Sequence, residues 1–237
     1  MAASSTICPP QYLQSPFEVL PALLSSDGST RLILIRHGHI AANTGGHDTL
    51  MAGWTDVPLS SRGRLEIERL KKYLSRGPRF DAIYSSPLSR ASETACLLAV
   101  AGLGPLRLCP ALKEINCGQL DGLPVGEVQG RFPDLWRENC AQEREDFRWP
   151  GGESYREFRD RCIAAVRSIA AAHLSGRALI VTHAGVISQI IGFLSGVSPA
   201  RWGLFRPGNA SITELAWRGC SGVVVSFDSR THLSDAV

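Results

Sequence analysis

The sequence predicts an α/β fold: three layers, αβα, with a mostly parallel central sheet, helices on both faces and a small lid excursion. Three observations predict it. Short apolar runs of strand length recur without polar alternation, as in strands buried on both faces of a parallel sheet. Segments with apolar residues at helical spacing separate them, the alternation that builds βαβ units. Two of the runs, Leu32-Ile33-Leu34-Ile35-Arg36-His37-Gly38 and Leu179-Ile180-Val181-Thr182-His183-Ala184-Gly185, each end in a histidine with glycine close behind.

After an irregular arm over 1–30, rich in Pro and Ser, the first strand is expected over 31–36. A helix over 60–75 follows, with Ser60 or Ser61 as cap and Leu65, Leu70 and Leu74 on one face. The run Phe80-Asp81-Ala82-Ile83-Tyr84-Ser85 is a strand, and 89–100 a helix with Ser89 as N-cap and Gly102 past its end. A strand over 106–115 comes next. The stretch 123–152 differs: it is polar and carries both signs of charge, with Trp136, Phe147 and Trp149 set between prolines. It reads as the lid. The segment 154–173 is a strongly amphipathic helix, repeating Phe158, Cys162, Val166, Ile169 and Ala170 on one side. A strand over 178–182, a helix over 186–195 and strands near 211–216 and 222–227 complete one domain over 31–230. A flexible tail is expected over 231–237, His232 included.

Bulk properties narrow the function. A net charge of +3 without a Lys/Arg block argues against nucleic acid as a partner. No apolar stretch approaches the ~20 residues needed to span a bilayer. Residues 1–30 contain no Lys or Arg, so they lack the basic region of a secretory signal. Seven cysteines, odd in number and without a CxxC pair, fit reduced thiols in the cytoplasm rather than a zinc or disulfide framework.

Ligands of open α/β sheets bind beyond the carboxyl ends of the strands. If the strands ending in His37 and His183 are neighbours, both histidines and Arg36 meet at one edge, a cluster suited to a doubly charged phosphate group. Asn43 can add a neutral donor from the following loop. Arg90 falls in the first turn of a helix, where a cation opposes the dipole; an arginine reaching back to an anion explains that choice. Glu114, near the end of its expected strand, could donate a proton to a leaving alkoxide, or could simply pair with Lys113. His183 and Ala184 lie at a helix start, where backbone N–H groups favour anions.

The chain resembles the histidine phosphatase superfamily in its phosphoglycerate-mutase-like branch. The motifs Arg36-His37-Gly38, Asn43, Gly53-Trp54-Thr55-Asp56-Val57-Pro58-Leu59 with Gly63, Ser86 with Arg90-Ala91 and Thr94-Ala95, Glu114 with Gly118 and Gly122, and Thr182-His183-Ala184-Gly185 appear in family order. The resemblance implies a phosphoric monoester hydrolase of the histidine acid phosphatase type, needing no metal or cofactor. His37 would attack phosphorus. Arg36, Arg90 and His183 would hold the phosphoryl oxygens. Glu114 would protonate the leaving group and then activate water. His39 and Ile40 depart from the family pattern after the first His-Gly, and His39 is a candidate substrate contact.

The short excursion after Glu114 favours a phosphatase over a phosphoglycerate mutase, the alternative within the family. Pro150-Gly151-Gly152-Glu153-Ser154 is similar to a run in small-molecule phosphatases such as α-ribazole phosphatases, and it also caps the long helix. A non-catalytic phospholigand-binding domain of the same fold is the reading outside enzymes. A metallohydrolase using His37, His39 and His183 lacks an evident Asp or Cys cluster. The expected partner is a small phosphate ester, with a homodimer the open oligomeric alternative. Arg131, Arg137, Arg144 and Arg148 are interspersed with acids and read as a solvated charged face.

Overall fold

The computed structural model describes residues 28–42 and 46–234; residues 1–27 of the arm expected over 1–30, and Asn43, lie outside the described residues. Six strands form one sheet in the order β3-β2-β4-β1-β5-β6. They are β1 (Thr30–Arg36), β2 (Ala82–Ser85), β3 (Leu106–Leu108), β4 (Arg177–Thr182), β5 (Ile212–Arg218) and β6 (Ser221–Ser229). β3, β2, β4 and β1 run parallel, while β5 and β6 continue the sheet antiparallel.

Helices cover both faces, and the pleat sorts the strand residues between them. Ile33 and Ile35 of β1 and Leu179 and Val181 of β4 meet α1 (Ser61–Leu74) and α2 (Ser89–Val100). The alternate residues Leu32, Leu34, Ala178 and Ile180 meet α5 (Tyr155–Ala172) and α6 (Ala184–Leu194). On α1 the buried stripe is Ile67, Leu70 and Leu74; Leu65 is exposed.

Caps follow the sequence at two helices and not at a third. Ser60 accepts from Gly63 N at the start of α1, and Ser154 with Glu157 forms a full capping box on α5. At α2 the N-cap is Leu88. Ser89 is instead the first helical residue, and its hydroxyl and N–H both reach Asp56, at 2.6 and 2.7 Å.

The strand expected over 106–115 stops at Leu108. Pro110 has no N–H for a ladder and opens a short 3-10 turn, Pro110–Leu112, so Glu114 sits on a loop rather than a strand. The excursion holds α3 (Val125–Arg131) and α4 (Pro133–Ala141). It has its own small core, in which Phe147 and Trp149 are buried with Cys117, Leu120, Val128 and Tyr155. Arg131, Arg137, Arg144 and Arg148 each pair with a nearby acid on the surface.

The first residues of the segment expected as a tail are structured. Thr231–Leu233 forms a 3-10 turn on α1, where Arg69 donates to Leu233 O at 2.9 Å and the His232 ring lies 5.7 Å from that of Tyr73. Among the described residues, no helix is long and apolar enough to cross a membrane.

Candidate active site

β1 and β4 are neighbours in register, Arg36 opposite Thr182, so the residues following them leave the sheet side by side. The ladder continues one step further, His37 N donating to Thr182 O at 3.0 Å. The rings of His37 and His183 then meet edge to face, 5.2 Å between centroids. A cavity of about 400 Å³ opens above them, lined among others by Arg36, His37, Arg90, Glu114, Ala184 and Gly185. The lid residues Trp136 and Trp149 line it too, so this aromatic group builds both the lid core and the cavity wall.

His37 is 4% exposed. Its Nδ1 lies 2.8 Å from Gly38 O. A carbonyl only accepts, so Nδ1 carries the proton and the neutral ring keeps its lone pair on Nε2. Burial, then the charges of Arg36 and Arg90, hold this imidazole well below its ordinary pKa of 6.5. The ring is therefore neutral and fixed in one tautomer. Its loop is closed from behind by α1: a Cβ on Gly63 would fall 2.2 Å from His39 O, so only glycine permits this approach.

Arg36 supplies the nearest positive charge. Nη1 donates to Pro207 O at 2.7 Å, while Nε is buried without a hydrogen-bond partner. A buried guanidinium donor without a partner, on a residue that lines a cavity, suits an anion. Burial lowers its pKa to about 10, so it remains charged at neutral pH.

Arg90 is 1% exposed, and most of its fork is spent inside the protein. Nη2 donates to Ala52 O and Gly53 O, Nη1 to Thr55 O, and Nε to His183 Nδ1 at 3.2 Å. Of its five N–H groups this leaves one, on Nη1, for a ligand. The motif 53–59 is thus explained: it supplies carbonyls to Arg90, and through Asp56 it grips the start of α2.

His183 is fully buried and does not line the cavity. Nδ1 accepts from Arg90, so the proton of the neutral ring sits on Nε2 and goes to Ser86 Oγ at 2.8 Å. Burial first, then Arg90 and His37, lower its pKa well below the usual 6.5. The resemblance gives His183 a place on the phosphoryl oxygens; here both of its ring nitrogens are engaged, by Arg90 and by Ser86. In this arrangement it is neutral, orients Arg90 and packs against His37.

Glu114 is held at both oxygens. Oε2 accepts from Gly185 N at the start of α6, 3.0 Å, and Oε1 from Ile115 N, 2.9 Å. A Cβ on Gly185 would lie 2.1 Å from Glu114 Oε1, so a larger residue there would displace the carboxylate. Lys113 does not pair with it; its ammonium lies over the Trp54 ring, 4.2 Å from the centroid. Behind the loop, Arg161 donates to the carbonyls of Ala111, Lys113 and Glu114 and pairs with Glu153. Glu153 of the Pro-Gly-Gly-Glu-Ser run therefore steadies the segment carrying Glu114.

His39 is not part of the site. Its Nδ1 bonds Ser60 Oγ at 2.8 Å, its N–H reaches Glu66, and it does not line the cavity. The proposed His37–His39–His183 metal cluster does not assemble, and among the described residues no group of three or more His, Cys, Asp or Glu side chains could hold a metal ion. Sequence reasoning placed Ser86 in a motif without giving it a role, and overlooked Asn209 and Arg206. Asn209 Nδ2 bridges His37 O and Gly38 O, at 3.2 and 3.3 Å, and Arg206 lines the cavity. No local pattern marks them, because their partners lie far away in the chain.

The two buried histidines tie stability to pH. In the unfolded chain they protonate near 6.5, in the folded chain only well below it, so the unfolded state binds more protons in that interval. Stability is complete above 6.5 and falls as pH drops, by up to about 1.4 kcal/mol per pH unit for each group. Denaturant unfolding at stepped pH should show this slope. A His183→Asn variant should show a shallower one, and an unchanged slope would exclude His183 as a source.

Fold and site together define the class of protein: an α/β enzyme of phosphate-ester chemistry whose cavity gathers a neutral histidine, two arginines and a glutamate. The family model of the Histidine phosphatase superfamily (branch 1) matches residues 32–230, and the chain belongs to that superfamily. It is 30% identical to a metal-independent phosphoserine phosphatase of Arabidopsis thaliana over 86% of this chain and 84% of that one. A 2,3-bisphosphoglycerate-dependent phosphoglycerate mutase of Methylobacterium radiotolerans is 32% identical over 72% of this chain and 81% of its own. Among solved structures, the α-ribazole phosphatase of Shigella flexneri superposes with a TM-score of 0.74 at 26% identity, covering 84% of this chain and 96% of that one.

Proposed function

We propose that this chain hydrolyses a small phosphate monoester through a phosphohistidine on His37. One observation carries the reading: the Nδ1–H of His37 is committed to Gly38 O, which leaves the Nε2 lone pair free in a cavity that Arg36, with its unpartnered Nε, also lines. In the first step Nε2 attacks phosphorus, the N–P bond forms and the ester P–O bond breaks. Glu114 gives its proton to the departing alkoxide. In the second, water attacks phosphorus, Glu114 takes the water's proton, the N–P bond breaks and inorganic phosphate leaves. Arg36, the remaining N–H of Arg90 and the backbone N–H of Ala184 steady the charge on the transferred group. Free cysteines among the described residues support a reducing, cytoplasmic setting.

Phosphoserine, α-ribazole phosphate, sugar phosphates and phosphoglycerates form the first substrate panel, with phosphate release and phosphoglycerate isomerisation measured together. Release is expected to outrun isomerisation, and EDTA to leave it intact. Isomerisation faster than release would favour the mutase, and loss of activity in EDTA would overturn the phosphohistidine scheme.

A further inference from the structure

Arg36 and Arg90 provide for one phosphate group, yet a third guanidinium lines the same cavity. Arg206 is exposed at its edge and lies over the Trp202 ring, 5.1 Å from the centroid. Many surface arginines are paired: Arg64 with Glu93, Arg131 with Glu127, Arg144 with Glu138 and Asp146, Arg156 with Glu145. Among the described residues Arg206 has no acidic partner. Its charge is also felt at Arg36, so two guanidinium groups face one cavity, with Glu114 the acid that lines it beside them.

The loop that carries Arg206 is fixed to the reaction centre. The carbonyl of the next residue, Pro207, accepts from Arg36. Gly208 N donates to Asp228 Oδ1 at 2.7 Å, and Asn209 clasps the backbone of His37 and Gly38. The aromatic platform of Trp202 limits the orientations of the guanidinium. Arg206 is therefore a pre-placed cation at a set offset from the phosphoryl site.

We propose that Arg206 is a specificity-determining residue that binds a carboxylate of the substrate a few bonds from its phosphoester. This rests on the phosphatase reading and adds the substrate class to it: carboxylated phosphate monoesters. A planar guanidinium matches the two oxygens of a carboxylate. One guanidinium also balances one negative charge, whereas a second phosphate would bring about two.

The test compares phosphoserine with O-phosphoethanolamine, which lacks only the carboxylate, in the unaltered protein and in R206A and R206K. The unaltered protein should favour phosphoserine in kcat/KM. R206A should lower that preference about tenfold, chiefly through KM, as loss of one charge-assisted contact at a solvent-exposed site implies. R206K should retain part of it. Turnover of O-phosphoethanolamine reports whether each variant is folded. Equal losses on both esters, or an unchanged preference, would overturn the assignment. Calorimetric binding of both compounds to H37A, with and without R206A, gives a readout that needs no turnover. A carboxylate-dependent affinity lost with Arg206 would uphold this inference even if phosphate release failed, and 2,3-bisphosphoglycerate binding tighter than phosphoserine would point to a second phosphate instead.

Discussion

Replacing His37 with alanine is expected to reduce phosphate release by about 10⁴-fold or more, because the variant loses the nucleophile that divides the reaction into two steps. The loss should fall on kcat, since the side chains around the phosphate remain. Brief incubation with a ³²P-labelled ester should label the unaltered protein with an acid-labile, alkali-stable phosphoryl group and leave H37A unlabelled. Activity of H37A within tenfold of the unaltered protein would dismiss covalent catalysis at this residue. The tautomer makes the expectation specific. With Nδ1–H donated to Gly38 O, the label should sit on Nε2. A label on Nδ1 would mean that the loop carbonyl does not orient the ring.

Replacing Arg36 with alanine is expected to lower kcat/KM by about 10³-fold, the lower end of the range for an arginine stabilising a transferred phosphoryl group. Inorganic phosphate should lose affinity as a competitive inhibitor in the same variant. R36K should recover only a minor part. A lysine brings a point charge, but no Nε–H beside His37 and no planar fork. Nη1 also anchors Pro207, so some loss will be structural. Thermal unfolding of R36K separates the two: a small change in Tm with a large change in kcat/KM assigns the effect to the anion. Arg36 stays charged through neutral pH despite its burial, so the deficit should be nearly independent of pH between about 6 and 8.

Much of the fold was legible because it follows local periodicity. The buried runs of β1 and β4, the stripe of α5 and the caps Ser60 and Ser154 all stand where their side-chain patterns put them. Where a single residue outweighed the pattern, the reading slipped. Pro110 ended β3 early, and Asp56 drew Ser89 away from capping. The candidate site divides in the same way. Arg36, His37 and Glu114 announced themselves through residue type and position beside strand ends and glycines, and all three line one cavity. His39 carried the same local signal and was diverted to Ser60, because α1 packs against its loop.

The sequence by itself determined most of the elements and the family, since these depend on residue type and short-range spacing. Only the tertiary structure decided the division of labour. That Arg90 spends its fork on the 52–55 carbonyls, that His183 is neutral and faces inward, and that Arg206 stands unpaired at the rim all depend on partners tens of residues away. A hydrogen bond is assigned by which donor meets which acceptor, and burial sets protonation; both are properties of the packed molecule and not of its order of residues.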